Sequence, residues 1–350
     1  MKASFTTIGY ENGVVTMLDQ TRLPLEEVNR EYRTVEGVAD AIRDMIIRGA
    51  PAIGIAAGYG MAVAARQVEK STSFLETMEE AKTLLGGTRP TAVNLFWALE
   101  RMMKVVLEVQ NASHDERVEA LEMEAHKILE EDEWVCYQIG AHGADLMTDG
   151  STVMTHCNAG ALATGGLGTA LSVFRVAKEK GKALNVVSNE TRPFLQGARL
   201  TTWELMRDGI PVTLVADNAA ASLIRRGLID AVIVGTDRTV ANGDVANKIG
   251  TYGVALAAHE KGIPFYVAAP TSTIDLSISS GDEIEIEERS GDEVRTVFGV
   301  PTAPPNVPVM NPAFDVTPAR YVTGIITEYG VAKAPYNESL AAIMAQGENG

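Results

Sequence analysis

An acid, a lysine and a cysteine stand where an α/β fold exposes its chemistry. Gly235-Thr236-Asp237-Arg238 directly follows the apolar run Ala231-Val232-Ile233-Val234, and Asn247-Lys248 begins ten residues after Asp237. An unbroken β-branched run reads as a buried parallel strand, and ligands of open α/β sheets gather at the carboxyl ends of such strands. Asp237 is therefore expected to leave a dry sheet for a crevice with Lys248 close behind, which suits proton chemistry on an anionic small molecule. Apolar surroundings raise a carboxyl pKa, and a carboxyl poised near neutrality both gives and takes protons. The plainer reading is that Asp237 salt-bridges Arg238 or caps a helix.

Three further clusters could carry chemistry. In Arg48-Gly49-Ala50-Pro51-Ala52-Ile53-Gly54, proline suits the first turn of a helix and the small residues allow close backbone approach. Free N–H groups at such a start attract phosphate, and Arg48 would add a charged fork; a glycine-rich packing helix is the alternative. His156-Cys157-Asn158-Ala159-Gly160 ends the first sheet strand, where a cysteine near a helix N-terminus could have a lowered pKa. Cys157 could equally be a small plug at the strand end, and His156 a structural histidine rather than a base. Cys136, inside a helical pattern, reads as core. Asn189-Glu190-Thr191-Arg192-Pro193-Phe194-Leu195-Gln196-Gly197-Ala198-Arg199-Leu200 sets two arginines in a strand-to-helix loop, to clamp a ligand, to cap the helix, or to pair with Glu190 and Glu204. Gly166-Leu167-Gly168 is a poor dinucleotide fingerprint because the third glycine is missing. With Glu190 after the second strand, it keeps a nicotinamide-dependent dehydrogenase as a minority reading.

The elements that would position these residues come in two styles. Residues 1–145 look mainly helical after a small hairpin, in which Asn12-Gly13 lies between strand-like residues as a tight turn requires. Ser113 and Glu116 have capping-box spacing, and Val118, Leu121, Ala125, Ile128 and Leu129 form one buried stripe. From 146 to 350 the pattern alternates. Thr152–Thr155, Leu184–Val187, Val212–Val215, Ala231–Val234 and Phe265–Ala268 are β-type runs separated by helical segments, which predicts right-handed crossovers and a Rossmann-like, doubly wound parallel sheet. Gly209-Ile210-Pro211 and Gly262-Ile263-Pro264 each close a helix and open a strand. Ser277–Glu293 is acidic and turn-rich, an exposed hairpin or loop. The fold class is thus α/β, with the clusters at Cys157, Asn189 and Asp237 falling just after sheet strands and so at one edge.

At 350 residues the chain fits two domains, and 46% hydrophobic with 22% charged residues is ordinary for a globular protein. A net charge of −16 argues against nucleic acid or anionic membrane as partner, since either needs a basic face. It leaves room for a phosphate held by local cations. Two cysteines are too few for a disulfide framework and favour a reducing compartment. Neither a signal peptide nor a spanning segment is seen, so a soluble, cytoplasmic protein is expected.

Taken together, these motifs give a resemblance that spacing alone does not. The chain resembles, over nearly its whole length, the methylthioribose-1-phosphate isomerase family of methionine salvage. The resemblance rests on Arg48–Gly54, Thr155-His156-Cys157-Asn158, Asn189–Pro193, Gln196–Thr201, Gly235–Arg238, Asn242–Tyr252 and Asn311-Pro312-Ala313-Phe314-Asp315-Val316. The wider superfamily also holds ribose-1,5-bisphosphate isomerases and regulatory subunits of the initiation-factor exchange complex; the latter generally lack the cysteine–aspartate pair present here. The resemblance implies a helical N-terminal domain that contributes phosphate-binding residues, a Rossmann-like catalytic domain and a homodimer. It implies conversion of 5-methylthioribose 1-phosphate to the 1-phosphorylated ketose with no metal or nicotinamide. It makes Cys157 and Asp237 the catalytic pair and gives Arg48, Gly49, Ala50, Arg89, Gln196, Asn247 and Lys248 the phosphate and sugar hydroxyls. Arg89 is carried by Gly87-Thr88-Arg89-Pro90-Thr91-Ala92-Val93-Asn94-Leu95. A related substrate, 5-deoxyribose 1-phosphate or ribose 1,5-bisphosphate, stays open. The neutral Asp237 such chemistry wants requires shelter from water, expected from an interdomain crevice that closes on ligand.

Overall fold

Asn12 and Gly13 both take left-handed backbone, φ 50° and 82°, as a two-residue turn between right-twisted strands demands. The turn joins β1 (Ile8–Glu11) to β2 (Val14–Leu18), and β3 (Asn29–Tyr32) completes a three-stranded antiparallel sheet. The computed structural model describes residues 2–68, 73–89 and 92–347. By its internal contacts the chain forms two units, one of Lys2–Cys136 with Ala161–Gly168, the other of Tyr137–Gly160 with Thr169 onward.

After its sheet the first unit is helical, with α1 (Val35–Arg43), α2 (Ala50–Arg66), α3 (Phe74–Gly86), α4 (Val93–Val109) and most of α5 (His114–Leu146). Every residue of α2 from Ala52 to Ala65 is buried, the mark of a central helix rather than an amphipathic one. The glycines of α2 have a packing reason, since a Cβ on Gly54 would lie 3.0 Å from the Asn94 carbonyl oxygen. The expected capping box opens α5: Glu116 accepts the Ser113 N–H at 2.8 Å, and the Ser113 hydroxyl accepts the Glu116 N–H at 3.4 Å. Of the expected stripe, Val118, Leu121, Ala125 and Ile128 are buried and Leu129 packs against them partly exposed. The chain passes from the first unit to the second within α5.

The second unit contains β4 (Thr152–Thr155), α6 (Ala170–Glu179), β5 (Asn185–Asn189), α7 (Thr202–Arg207), β6 (Val212–Val215), α8 (Ala220–Arg225), β7 (Ala231–Val234), β8 (Arg238–Val240), β9 (Val245–Lys248) and α9 (Thr251–Lys261). It continues with β10 (Phe265–Ala268), β11 (Ile274–Asp275), α10 (Asp292–Arg295), β12 (Thr296–Val297), β13 (Val300–Pro301), β14 (Phe314–Thr317), β15 (Gly324–Thr327), β16 (Gly330–Ala332) and α11 (Tyr336–Gly347). Among the described residues, the main sheet has seven strands in the order β16-β15-β10-β7-β4-β5-β6, parallel except for edge strand β16. A smaller sheet has the order β11-β8-β9-β14. Gly209 (φ 64°) and Gly262 (φ 74°) close their helices in left-handed backbone before the proline of each following strand.

The α/β class and the parallel sheet agree with the sequence reading, which saw five strands. It missed β15 and β16, because only Ile325 and Ile326 are apolar β-formers in a stretch framed by Gly324 and Gly330. From Ser277 to Gly291 the chain is a loop with one 3-10 turn at Gly281–Glu283, α10 begins at Asp292, and the hairpin lies just beyond, in β12 and β13. Among the described residues no helix is long and apolar enough to cross a membrane.

A buried charge cluster ties α6 to α7. Arg175, 2% exposed, donates to Glu204 and to Asp208 at 2.7 Å each. Removing one partner of such a cluster leaves uncompensated buried charge. Arg175→Met is expected to lower the unfolding free energy by about 3–5 kcal/mol, read from urea denaturation; a loss under about 1 kcal/mol would mean the carboxylates find other partners.

Candidate functional site

The order of the seven strands fixes where a ligand can sit. From β4 the chain winds outward through β5 to β6, then returns past β4 to lay β7 on its other side. The switch point is therefore between β4 and β7, whose register pairs Val153 with Ala231 and Met154 with Val232. Loops leaving these neighbours at their carboxyl ends diverge and open a crevice. Cys157 lies two residues beyond β4 and Asp237 three beyond β7. The two expected catalytic residues thus leave adjacent strands at one end of the sheet.

The loop after β4 is held in strained backbone. Cys157 has φ 67° and Thr191, in the loop after β5, has φ 63°, both left-handed; for the β-branched threonine this is a genuine outlier. The Cys157 N–H donates to Thr191 Oγ1 at 2.8 Å, and the Thr201 hydroxyl donates to the Cys157 carbonyl at 2.7 Å. Thr191 is in turn fixed by Asp217, whose two carboxylate oxygens accept the Thr191 and Arg192 N–H groups at 2.7 Å. Asn158 donates to Glu204, and a Cβ on Gly160 would sit 2.1 Å from the Glu204 carboxylate. No helix starts at Cys157; α6 begins at Ala170, so the expected helix N-terminus at the thiol is absent.

His156 joins this loop to the one bearing Lys248. Its Nε2 is 2.8 Å from the Ile249 carbonyl, which can only accept, so Nε2 carries the proton. Nδ1 is then an acceptor, met by the Asn189 amide at 3.1 Å. Burial pushes the His156 pKa down, against the Ile249 bond and Asp217, keeping the ring neutral. Gly250 (φ 103°) presses on the same ring: a Cβ there would lie 2.9 Å from Cε1. His156 is therefore the structural, hydrogen-bonded histidine rather than the base.

The other candidates of this unit cluster around the same loops. Asp237 donates its N–H to Ala246 at 3.0 Å, bringing it against β9, whose last residues are Asn247 and Lys248. Asn247 is buried and donates to Thr251 at 3.0 Å. Lys248 is half-buried, its ammonium 4.4 Å from the Phe314 ring centre. Gln196 is 8% exposed, and its Oε1 has no hydrogen-bond partner among the described residues, which leaves an acceptor for a ligand hydroxyl. Asp237 is exposed, contrary to the expectation of a carboxyl shielded from water. Arg238 reaches Asp275 at 3.7 Å. Of the paired arginines, Arg192 donates to the main-chain carbonyls of Pro193 and Val294, both at 3.0 Å, while the acid expected to pair, Glu204, is taken by Arg175.

Arg48, Gly49, Ala50 and Arg89 belong to the first unit. Gly49 (φ 93°) is the N-cap of α2, with proline in the first turn as expected. A Cβ on Gly49 would lie 2.6 Å from Ala163, so the bend admits glycine alone. Arg48 and Arg89 are half-buried; Pro90 and Thr91 of the Arg89 motif lie outside the described residues. Gly165 and Gly166, in the weak dinucleotide pattern, pack against α5 instead: Cβ atoms there would lie 2.3 Å from Leu129 and 2.9 Å from Glu133. Asp132 accepts the Gly165 N–H at 2.6 Å, and burial pushes its pKa up to about 6. Cys136 is buried core, its thiol pushed up by the same desolvation.

Residues 46–334 match the initiation factor 2 subunit family. The chain belongs to that family. Among its members, the methylthioribose-1-phosphate isomerase of Geobacter metallireducens is 57% identical over 97% of this chain and 99% of its own length. That of Trichlorobacter lovleyi is 55% identical over 98% and 99%. The crystal structure of 5-methylthioribose 1-phosphate isomerase from Pyrococcus horikoshii superposes with TM-score 0.93 at 48% identity, covering 98% of this chain and 97% of that one. A structure named translation initiation factor eIF-2B, subunit delta, from A. fulgidus gives 0.91 at 45% identity, covering 98% and 100%.

Thr191, Thr201, Glu204 and Asp217 were not singled out as loop supports, although Thr191 and Thr201 lie inside the motifs. Their roles depend on which loop each faces, which pattern does not reveal. The neutral His156 has a pH consequence. Its unfolded counterpart binds a proton below about pH 6.5, while the folded ring resists one until a lower pH. The unfolded state therefore holds more protons in that window, and His156 costs stability as pH falls through it. The drop in urea midpoint from about pH 7 to pH 5 is expected to be smaller in His156→Gln than in the parent; equal drops would show that the ring charges without penalty.

Proposed function

We propose that the chain is an aldose–ketose isomerase that converts 5-methylthioribose 1-phosphate to 5-methylthioribulose 1-phosphate in methionine salvage, acting as a cytoplasmic homodimer with neither nucleic acid nor membrane as partner. The observation that carries the reading is the emergence of Cys157 and Asp237 from neighbouring strands at the switch point of the sheet. Identity above half with isomerases over nearly their full length supports the substrate.

The substrate is a ring closed at an anomeric carbon that bears phosphate, so the ring must open before the carbonyl can migrate. Asp237 in its acid form gives a proton to the ring oxygen as the C1–O bond breaks. A bound sugar that covers the exposed carboxyl strips it of water, and desolvation favours the neutral acid. Hydrogen then passes from C2 to C1, and the C2 hydroxyl loses its proton as the ketone forms. Cys157 serves either as base for an enolate route or as the group that polarises the oxygens for direct hydride shift. Asn247, Lys248 and Gln196 bind phosphate and hydroxyls, and the family resemblance gives Arg48, Gly49, Ala50 and Arg89 a part in binding phosphate. The buried, available Oε1 of Gln196 supports its share. The C5 substituent is the finer question, with a deoxy or second phosphate group as the alternatives to methylthio.

Asp237→Asn is expected to abolish turnover while substrate affinity stays within about tenfold, a difference of roughly 1.4 kcal/mol, measured by steady-state assay and calorimetry. Near-normal turnover would remove Asp237 as the acid. Solvent deuterium at C1 of the product is the mark of the enolate route; its absence marks hydride transfer. A second reading, a non-catalytic subunit of an initiation-factor complex, is raised by the similarity to the A. fulgidus chain. It predicts no ketose from any of a panel of 1-phosphorylated pentoses.

A further inference from the structure

The motif Asn311-Pro312-Ala313-Phe314-Asp315-Val316 has no part in the chemistry above, yet it forms the strand behind Lys248. β14 pairs antiparallel with β9, which sets Phe314 opposite Lys248 and Asp315 opposite Asn247. The Lys248 ammonium lies 4.4 Å from the centre of the Phe314 ring, inside the range over which a ring face attracts a cation. The next side chain reaches the turn that follows. Asp315 accepts the N–H of Gly250 at 2.7 Å and that of Tyr252 at 3.1 Å, at the first turn of α9. The turn has two more anchors: Thr251 donates its hydroxyl to the Lys248 carbonyl at 2.6 Å, and His156 holds the Ile249 carbonyl. Its backbone is therefore fixed on both sides of Lys248.

A lysine carries its charge on a flexible four-carbon stem, and freedom lost before binding is not lost again on binding. We propose that Phe314 and Asp315 are positioning residues for substrate: Phe314 holds the Lys248 ammonium against its ring face, and Asp315 fixes the turn from which that lysine projects. An anionic oxygen then meets a cation already in place. The proposal rests on Lys248 being a ligand of the substrate, as argued under the function above.

The test is the Michaelis constant of the full chain for 5-methylthioribose 1-phosphate, with kcat measured alongside. Lys248→Ala is expected to raise KM strongly. Phe314→Leu and Asp315→Ala should each raise KM about three- to tenfold with kcat within about twofold, while Phe314→Tyr, which keeps the ring face, stays near the parent. Because both act through the lysine, neither should raise KM further in a Lys248→Ala background. Should Phe314→Leu fail to fold, Phe314→Met, which keeps bulk without the face, is read in its place. An unchanged KM in Lys248→Ala overturns the binding role of the lysine and this proposal with it. A raised KM there, with Phe314→Leu at the parent value or with effects that multiply in the double variant, overturns the positioning role alone.

Discussion

One topological constraint governs the rest of the second unit: the chain cannot lay β7 beside β4 without reversing its direction of winding there. Loops to either side must part at that seam, and the chain fills the gap with the residues best suited to chemistry. Neither Cys157 nor Asp237 needs a long reach, because each lies within three residues of a strand end. β7, beneath the Asp237 loop, is wholly apolar, with all four residues buried. Its rigidity is passed directly to the loops.

Those loops are costly, and their supports are polar. Cys157 and Thr191 hold left-handed backbone that other residues must impose, through Thr201 on one side and Asp217 on the other. Glycines then permit contact where no side chain would fit. Gly160 rests on the Glu204 carboxylate and Gly250 on the His156 ring. The neutral imidazole is well matched to this task. A single tautomer offers a donor to the Ile249 carbonyl and an acceptor to Asn189, so one ring joins three loops without bringing in charge. In a protein of net charge −16, an isolated buried cation would find many competing carboxylates, and Arg175 shows that fate. Lys248 instead lies over an aromatic face, which attracts it without neutralising it.

Much of this fold was legible because short β-type runs bounded by turn residues have few alternatives. The runs Thr152–Thr155, Val212–Val215, Ala231–Val234 and Phe265–Ala268 coincide with strands to the residue. The run at Leu184–Val187 slid to Asn185–Asn189, because Ser188 and Asn189 are polar yet buried, a combination that composition reads as loop. β15 is β-branched at Ile325, Ile326 and Thr327 but is framed closely by Gly324 and Gly330, which read as turn residues. The site was legible as chemistry at strand ends and illegible as environment. Nothing in the residues around Asp237 says that it is exposed, and nothing around Cys157 says that the next α-helix waits until Ala170. Burial and helix starts at loops depend on partners distant in sequence, such as Glu204 beneath Gly160 and Asp217 behind Thr191. The role of Asp315 was equally hidden, since a carboxylate bonded to two backbone N–H groups looks, in sequence, like any acid.

The account stands on Cys157 and Asp237 facing one ligand. The most direct measurement is a crystal structure of the Asp237→Asn protein with 5-methylthioribose 1-phosphate, which this variant should bind without turning over. The account predicts the sugar ring within about 4 Å of both the Cys157 sulfur and the side chain at position 237. An ordered sugar phosphate that touches neither would contradict it.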